Sequence, residues 1–211
     1  FVPMSAAEET ERLLPFLEIV LTECPVPVSV DTFKAETARA ALRTGAHILN
    51  DIWGLQYAEE PREMARVAAD VDAPIIVMHN QHGTVYDADI IDEMRAFFAR
   101  SFAATDAAGL SRDKIILDPG IGFGKTAEQN MHVLRRMDEL VSYGGVDYPV
   151  LLGASRKSFI GAALGLPVEE RMEATGAACV MGIERGASIV RVHDVKPIAR
   201  MCRMTDVILR S

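Results

Sequence analysis

Strand-like and helix-like segments alternate along the whole sequence. Six short apolar runs, rich in β-branched residues, are each followed by a longer segment whose apolar residues recur at helical spacing. The runs are VPVSVDT, AHILNDIWG, APIIVMHN, KIILDPGIGFG, YPVLLGASRKS and ASIVRVHDV. Strands that are apolar over nearly their whole length predict a parallel sheet covered on both faces. This α/β pattern is compatible with an open, doubly wound sheet and with a closed barrel.

Local signals mark where the helices begin and end. Ser5 and Glu8 form a capping-box pattern before the first helix, and Gly45 is expected to end the second. The later helices are expected near Pro61–Val71, Ile90–Ala108, Ala127–Tyr143 and Pro167–Arg185, with a last helix after RVHDV. The whole chain, residues 1–211, is therefore interpreted as one β/α domain.

Polar side chains occur at the ends of five of these strands. They are Asp31, Asn50, Asp118, Ser155 with Lys157, and Arg191 with His193. In an open sheet, ligand-binding groups concentrate where the strand order reverses, whereas in a barrel all strand ends converge on one mouth. The distribution favours a barrel, which in its complete form has eight strands and about 250 residues. The sequence of this chain predicts six of these eight strands.

Composition narrows the classes of partner. Acidic residues outnumber basic ones by 30 to 22, and the formal charge of -8 argues against nucleic acid or an anionic membrane as the main partner. No apolar run approaches the roughly 20 residues that cross a bilayer. The three cysteines, an odd set without CxxC spacing, are typical of free thiols in a reducing compartment, so we expect a cytoplasmic protein.

The segment DPGIGFGKT, residues 118–126, carries the most distinctive pattern. It differs from a nucleotide-binding P-loop because only three residues separate Gly120 from Gly124. Asp118 ends an apolar strand, and its two oxygens could accept the adjacent ring N–H and amine of a 2-amino-4-oxo heterocycle. The alternative is that Asp118 only caps the following turn.

Two further segments place cations at strand ends. In GASRKS, Lys157 could donate to a ring carbonyl and Ser158 could help to hold a carboxylate. In RVHDV, Arg191 and His193 project from the same face and could hold a diphosphate. The alternative for His193 is a core histidine partnered by Asp194.

Other polar residues have competing interpretations. Asp31 and Asn50 could each be an ordinary helix N-cap, and taken singly that interpretation is favoured. His79 and His82 have HxxH spacing, but they leave a strand for a loop and no third ligand is evident, so zinc is not expected.

Six motifs, taken in order, resemble the strand-end motifs of the dihydropteroate synthases. They are VDT, NDI, MHN, DPGIGFGK, GASRKS and RVHDV, and the likeness covers essentially all 211 residues. The resemblance implies a TIM (β/α)8 barrel, usually a homodimer. It also implies condensation of 6-hydroxymethyl-7,8-dihydropterin diphosphate with p-aminobenzoate, which yields 7,8-dihydropteroate and diphosphate in folate biosynthesis. Sulfonamides are expected to compete for the p-aminobenzoate position.

The resemblance implies contacts for each part of the substrates. The implied pterin contacts are Asp31, Asn50, Met78, Asp118, Phe123, Gly153 and Lys157. The implied diphosphate contacts are Asn50, Arg191 and His193, and those of p-aminobenzoate are Lys157, Ser158 and Phe123. Catalytic roles are implied for Asp31, Lys157, Arg191 and His193, with Asp31 stabilising a cation at the reacting methylene.

The resemblance also implies Mg²⁺, which the family coordinates through an asparagine on its first strand. Residues 1–15 look like the segment that follows the family's second strand, so the first two strands are expected to be absent and no metal ligand is predicted in the chain.

Two other functions are compatible with the motifs. A pterin-binding methyltransferase module would share the barrel and the Asp118 motif, but it has no diphosphate to hold. GASRKS and RVHDV therefore favour the synthase. A non-catalytic paralogue would keep the barrel for binding or assembly.

Overall fold

The computed structural model describes residues 4–211, which contain eight strands and eight α-helices. The strands are β1 (Ser29–Asp31), β2 (Ile48–Asp51), β3 (Ile75–Met78), β4 (Ile115–Asp118), β5 (Ser142–Tyr143), β6 (Val146–Asp147), β7 (Val150–Leu152) and β8 (Ala187–Val190). The helices are α1 (Ala6–Glu23), α2 (Ala35–Thr44), α3 (Glu63–Asp70), α4 (Ile90–Ala108), α5 (Ala127–Arg135), α6 (Ser158–Leu164), α7 (Met172–Glu184) and α8 (Val195–Arg210). Two compact units divide the chain: unit 1 has residues 4–78 and 98–116, and unit 2 has residues 79–97 and 117–211.

Unit 1 contains three parallel strands in the order β1, β2, β3. Their register places Asp31 beside Asn50, and Asp51 beside Val77. Every residue of β3 is buried, as expected for a parallel strand covered on both faces. Because the strands are parallel, their C-terminal polar residues lie along one edge.

Helices α1 and α2 cover part of this sheet. Leu17 of α1, Val30 of β1 and Ala41 of α2 belong to one buried apolar cluster. The N-terminus of α1 is capped by Ser5, whose hydroxyl accepts from the backbone N–H of Glu8 at 3.2 Å. The Glu8 carboxylate instead accepts from Arg12 at 2.8 Å, so the hydrogen bonds observed here form one half of the capping box.

Unit 2 contains the end of β4 followed by β7 and β8, again in parallel. Leu117 of β4 is paired with Val150 of β7, and Leu152 of β7 is paired with Val190 of β8. Helix α7 packs closely on β7, because a Cβ atom added at Gly182 would lie 2.2 Å from Cδ2 of Leu152. The sheet of unit 2 therefore fixes the positions from which the DPGIGFGKT, GASRKS and RVHDV segments begin.

The helix predicted over Ala127–Tyr143 is shorter in the structure. Helix α5 ends at Arg135, a 3-10 turn follows at Met137–Leu140, and β5 and β6 then form a small antiparallel hairpin. Gly144 and Gly145 have φ values of 60° and 80°, which suit the two central positions of a tight hairpin turn. The helix therefore ends well before the YGGV sequence, which forms the turn of the hairpin. Within residues 4–211, no helix is long and apolar enough to cross a membrane.

Candidate active site

In unit 1, polar residues form a short row at the strand ends. Asp31 is exposed at the end of β1, and Asn50 is buried beside it on β2. Met78, which is 2% exposed, ends β3. Neither polar residue is a helix cap, since α2 and α3 begin after Lys34 and Arg62. The capping interpretation of Asp31 and Asn50 is therefore wrong.

The side-chain oxygen of Asn50 is buried and accepts no hydrogen bond from residues 4–211. A buried carbonyl oxygen without a donor costs about 1–3 kcal/mol relative to one that is satisfied. Such a cost is typical of a ligand-binding position, where the ligand supplies the donor. The strand-end location of Asn50 suits an N–H group of a bound heterocycle.

Asp51 holds the loop that follows β2. Its two carboxylate oxygens accept from the backbone N–H groups of Trp53 and Leu55, both at 2.8 Å. Burial raises the pKa of Asp51 to about 6, these two hydrogen bonds lower it, and the nearby charge of Asp31 raises it further. Leu55 has a φ of 68°, so the carboxylate also stabilises an unfavourable backbone conformation. We therefore interpret Asp51 as the residue that orders this loop.

In unit 2, the carboxylate of Asp118 is buried in the turn after β4. Its Oδ1 accepts from the backbone N–H of Gly120 at 2.7 Å. Burial raises the pKa of Asp118 to about 6, and the Gly120 bond, followed by the charges of Lys125, Arg191 and Lys157, lowers it. Turn capping therefore accounts for the position of Oδ1.

The side chain of Lys157 packs against the ring of Phe123. The Lys157 ammonium lies 4.3 Å from the centroid of the Phe123 ring, within the range of a cation–π contact. A Cβ atom added at Gly122 would lie 2.9 Å from Cδ of Lys157, so the glycine leaves room for the lysine stem. Gly153 borders Asp118 less tightly, because its added Cβ would lie 3.9 Å from Oδ2, an ordinary van der Waals distance. Ser158 is exposed as the first residue of α6.

Arg191 and His193 follow β8, and both are exposed. The Ser155 hydroxyl lies 2.8 Å from Nδ1 of His193 and also accepts from the His193 backbone N–H at 3.2 Å. Asp194 instead receives two hydrogen bonds from Arg156, at 2.8 and 3.0 Å. The alternative of a core histidine partnered by Asp194 is therefore wrong: His193 is exposed and Ser155 orients its ring.

Sequence reasoning missed Lys125, which follows the glycine turn. It is 8% exposed, and its ammonium contacts Nδ1 of His79 at 2.9 Å. His79 is thus one partner of a buried cation rather than half of an HxxH metal pair. Among residues 4–211, no group of three or more His, Cys, Asp or Glu side chains could hold a metal ion.

Unit 1 also has a cavity of about 330 Å³, lined by residues of the β2–α3 loop and α4 that include Gln56, Tyr57 and Arg100. It contains none of the residues predicted for substrate binding. Its lining is mainly apolar and its floor is the loop that Asp51 orders.

The charged and polar side chains at the ends of these parallel strands define a β/α enzyme of the kind that binds a small, partly anionic substrate beyond the strand ends. A family profile described as "Pterin binding enzyme" matches residues 2–193. The chain belongs to the dihydropteroate synthase family of pterin-binding enzymes.

Several relatives support this assignment. The dihydropteroate synthase of Bacillus subtilis is 47% identical over 208 residues, which cover 99% of this chain and 70% of that protein. The dihydropteroate synthase of Clostridium beijerinckii is 43% identical, with 98% and 75% covered. The chain therefore spans about 70–75% of the length of these relatives.

Solved structures confirm the fold class. The dihydropteroate synthase of Clostridium difficile, determined in the presence of pteroic acid, has a TM-score of 0.94 and 44% identity, and covers 100% of this chain and 78% of that one. The Yersinia pestis enzyme with a pterine–sulfa conjugate has a TM-score of 0.89 and 34% identity, with 99% and 79% covered. The predicted TIM-barrel class is confirmed, with six of its parallel strands present among residues 4–211.

Proposed function

We propose that this protein is a transferase of folate biosynthesis that condenses 6-hydroxymethyl-7,8-dihydropterin diphosphate with p-aminobenzoate. The observation that carries the proposal is 47% identity to a dihydropteroate synthase across 99% of the chain. The strand-end residues of each unit supply chemistry that this reaction needs. The methyltransferase alternative is less suitable because its substrate carries no diphosphate for Arg191 and His193 to bind.

Pterin recognition is proposed for residues of both units. In unit 2, Oδ2 of Asp118 accepts a donor of the 2-amino-4-oxo ring, and Lys157 donates to the ring carbonyl. Phe123 supports the ring face, and Gly153 borders the ring beside the carboxylate. In unit 1, the buried oxygen of Asn50 supports a contact with a ring N–H. Asp31, which lies beside Asn50, and Met78 are the other pterin contacts proposed in this unit.

Arg191 and His193 are proposed to hold the diphosphate. If the Ser155 hydroxyl donates to Nδ1 of His193, the imidazole proton lies on Nε2, where it can donate to a phosphate oxygen. Arg191 supplies a second, permanent donor. Asn50 is an additional candidate contact for the same group.

The chemical step exchanges one bond at the exocyclic methylene. The bond from this carbon to the diphosphate oxygen breaks, and the amine nitrogen of p-aminobenzoate forms a new bond to the carbon and then releases a proton. Arg191 and His193 neutralise charge that develops on the departing oxygen, and Asp31 stabilises positive charge on the pterin. Ser158, with Lys157 and Phe123, is proposed to bind p-aminobenzoate or a competing sulfonamide.

Mg²⁺ is also part of the proposal, and it does not depend on a group of three or more metal-binding side chains, which residues 4–211 lack. Bound metal would have to take most of its ligands from diphosphate oxygens and water.

A homodimer and a cytoplasmic location are also part of the proposal. Helices α7 and α8 carry exposed apolar side chains that could pair with a second copy: Val180, Met181, Met204, Val207 and Ile208. The three cysteines are free, which suits a reducing compartment. Light scattering over a concentration series tests the dimer.

The decisive experiment measures diphosphate release by the purified protein with and without p-aminobenzoate. Release that depends on p-aminobenzoate and is matched by dihydropteroate formation supports the proposal. Methyl transfer to a corrinoid without such release would favour the methyltransferase. Pterin binding without turnover would favour the non-catalytic paralogue.

A further inference from the structure

Lys125 is a buried cation with a complete set of acceptors. Its ammonium donates to the carbonyl oxygens of Gly120 at 3.0 Å and Phe123 at 3.1 Å, and contacts Nδ1 of His79 at 2.9 Å. A protonated amine has three protons, and each has an acceptor here. Burying a charge costs free energy, so Lys125 is not an ordinary solvated surface lysine, and its burial must have another reason.

Gly120 connects this cation to Asp118. Its N–H donates to Oδ1 of Asp118 at 2.7 Å, and its carbonyl oxygen accepts from Lys125 at 3.0 Å. The carboxylate and the ammonium therefore bind opposite ends of one residue in the turn. Of the three cations that act on Asp118, Lys125 has the largest effect, ahead of Arg191 and Lys157.

His79 provides the third acceptor from a different segment. Its backbone N–H donates to the carbonyl oxygen of Asp118 at 2.9 Å, and its ring packs edge-on against Phe97 with centroids 4.9 Å apart. An ammonium has no lone pair, so His79 accepts at Nδ1 and carries its proton on Nε2 when Lys125 is charged. Tyr86, whose ring stacks near that of His79, donates from its hydroxyl to the carbonyl oxygen of Gly124 at 2.8 Å.

Burial acts on the two charges in opposite directions. It lowers the pKa of Lys125 to about 7, whereas the charge of Asp118 raises it. It raises the pKa of Asp118 to about 6, whereas Lys125, Arg191 and Lys157 lower it. Each ion of the pair therefore favours the charged form of the other.

We infer that Lys125 is a positioning residue for pterin: held by His79 and two turn carbonyls, it supplies the buried positive charge that keeps Asp118 a carboxylate. The inference rests on the proposed function, because it assigns pterin to Asp118. Lys125 need not touch the substrate. It acts through the ionisation of Asp118 and through the shape of the turn from Gly120 to Phe123.

The test compares the wild type with Lys125→Met and Lys125→Gln. Methionine removes the charge and all donors, whereas glutamine keeps a polar donor without the charge. Lys114→Met is the matched control, since Lys114 pairs with Asp72 and precedes β4, about 13 Å along the strand from Asp118. Two readouts are followed from pH 5 to pH 8: calorimetric affinity for 6-hydroxymethyl-7,8-dihydropterin, and the carbon-13 NMR titration of the Asp118 carboxyl carbon without ligand.

We expect both Lys125 variants to move the Asp118 midpoint upward by about one pH unit, and to weaken pterin binding about twofold at pH 7 and about tenfold at pH 5. Lys114→Met should leave both readouts unchanged. If either folded Lys125 variant keeps the wild-type midpoint of the Asp118 titration, the inference is wrong. A loss of pterin affinity that is equal at every pH would not rescue it. If the carboxyl midpoint moves but the wild type does not bind pterin, the proposed function fails while the charge relationship holds.

Discussion

The hydroxyl of Ser155 lies 2.8 Å from Nδ1 of His193, and the two residues are 38 positions apart in the chain. This contact joins the GASRKS and RVHDV segments and leaves Nε2 of His193 as the ring nitrogen available to a substrate. When the Ser155 hydroxyl donates to Nδ1, the serine sets both the direction of the ring and the tautomer that carries its proton on Nε2.

We therefore expect Ser155→Ala to raise KM for the pterin diphosphate about 3- to 10-fold, which corresponds to a lost hydrogen bond of about 1 kcal/mol. Affinity for the pterin alcohol, which lacks diphosphate, should change little. Steady-state kinetics and calorimetry measure the two effects. Ser142→Ala, on the β5 hairpin, is the control. Equal losses for the two pterins would contradict an orienting role toward diphosphate.

The raised pKa of Asp118, about 6, predicts a pH dependence of pterin binding. The carboxylate accepts pterin donors only when ionised, so affinity is retained above this pKa and lost as the pH falls through it. Between pH 7 and pH 5, affinity for the pterin alcohol should fall about tenfold. Calorimetry at these two values measures the change.

Asp118→Asn supplies the comparison for this pH dependence. It should bind the pterin about 30- to 100-fold more weakly at pH 7, because a charged acceptor is replaced by an amide. Its affinity should not vary across the same pH range. A wild-type affinity that is flat from pH 5 to pH 7 would rule out Asp118 as the titrating acceptor.

The parts of the molecule that were predictable are those set by local pattern. The apolar runs identify all six parallel strands, and DPG locates Asp118 at a strand end. The hairpin at Gly144 was missed because the apolar spacing of α5 continues toward Tyr143 and hides the two-glycine turn.

Tertiary contacts account for what the sequence could not reveal. From the sequence alone, Lys125 is expected to be an ordinary exposed lysine. Its burial depends on contact with a histidine 46 positions away. The partner of His193 was likewise not predictable: Asp194, the alternative adjacent in sequence, pairs instead with Arg156. A long polar side chain has several reachable partners, and only the packed fold selects one of them.

Asn50 gives a prediction in which stability and binding change in opposite directions. Its buried oxygen has no donor within the described residues, so Asn50→Leu should increase the free energy of unfolding by about 1 kcal/mol. The same change should weaken pterin binding about tenfold or more. Chemical denaturation and calorimetry measure the two quantities.

Asn130→Leu is the control for a buried asparagine that is satisfied. The Asn130 side chain accepts from Gly122 at 2.6 Å and donates to Thr126 at 2.7 Å. Its replacement should lower the free energy of unfolding by about 1–3 kcal/mol. A similar destabilisation by Asn50→Leu would indicate that Asn50 serves the fold rather than the ligand.

Lys157 and Ser158 are adjacent, but they should have separable effects on the two substrates. Lys157 lies over the Phe123 ring and acts electrostatically on Asp118, so Lys157→Ala should weaken both the pterin and p-aminobenzoate by about tenfold or more. Ser158 is exposed at the start of α6, so Ser158→Ala should change p-aminobenzoate KM and sulfonamide inhibition about 3- to 10-fold and leave pterin affinity intact. Full kinetics with both substrates varied separates the two patterns. If both variants weaken the two substrates in the same ratio, the assignment of Ser158 to the p-aminobenzoate position is wrong.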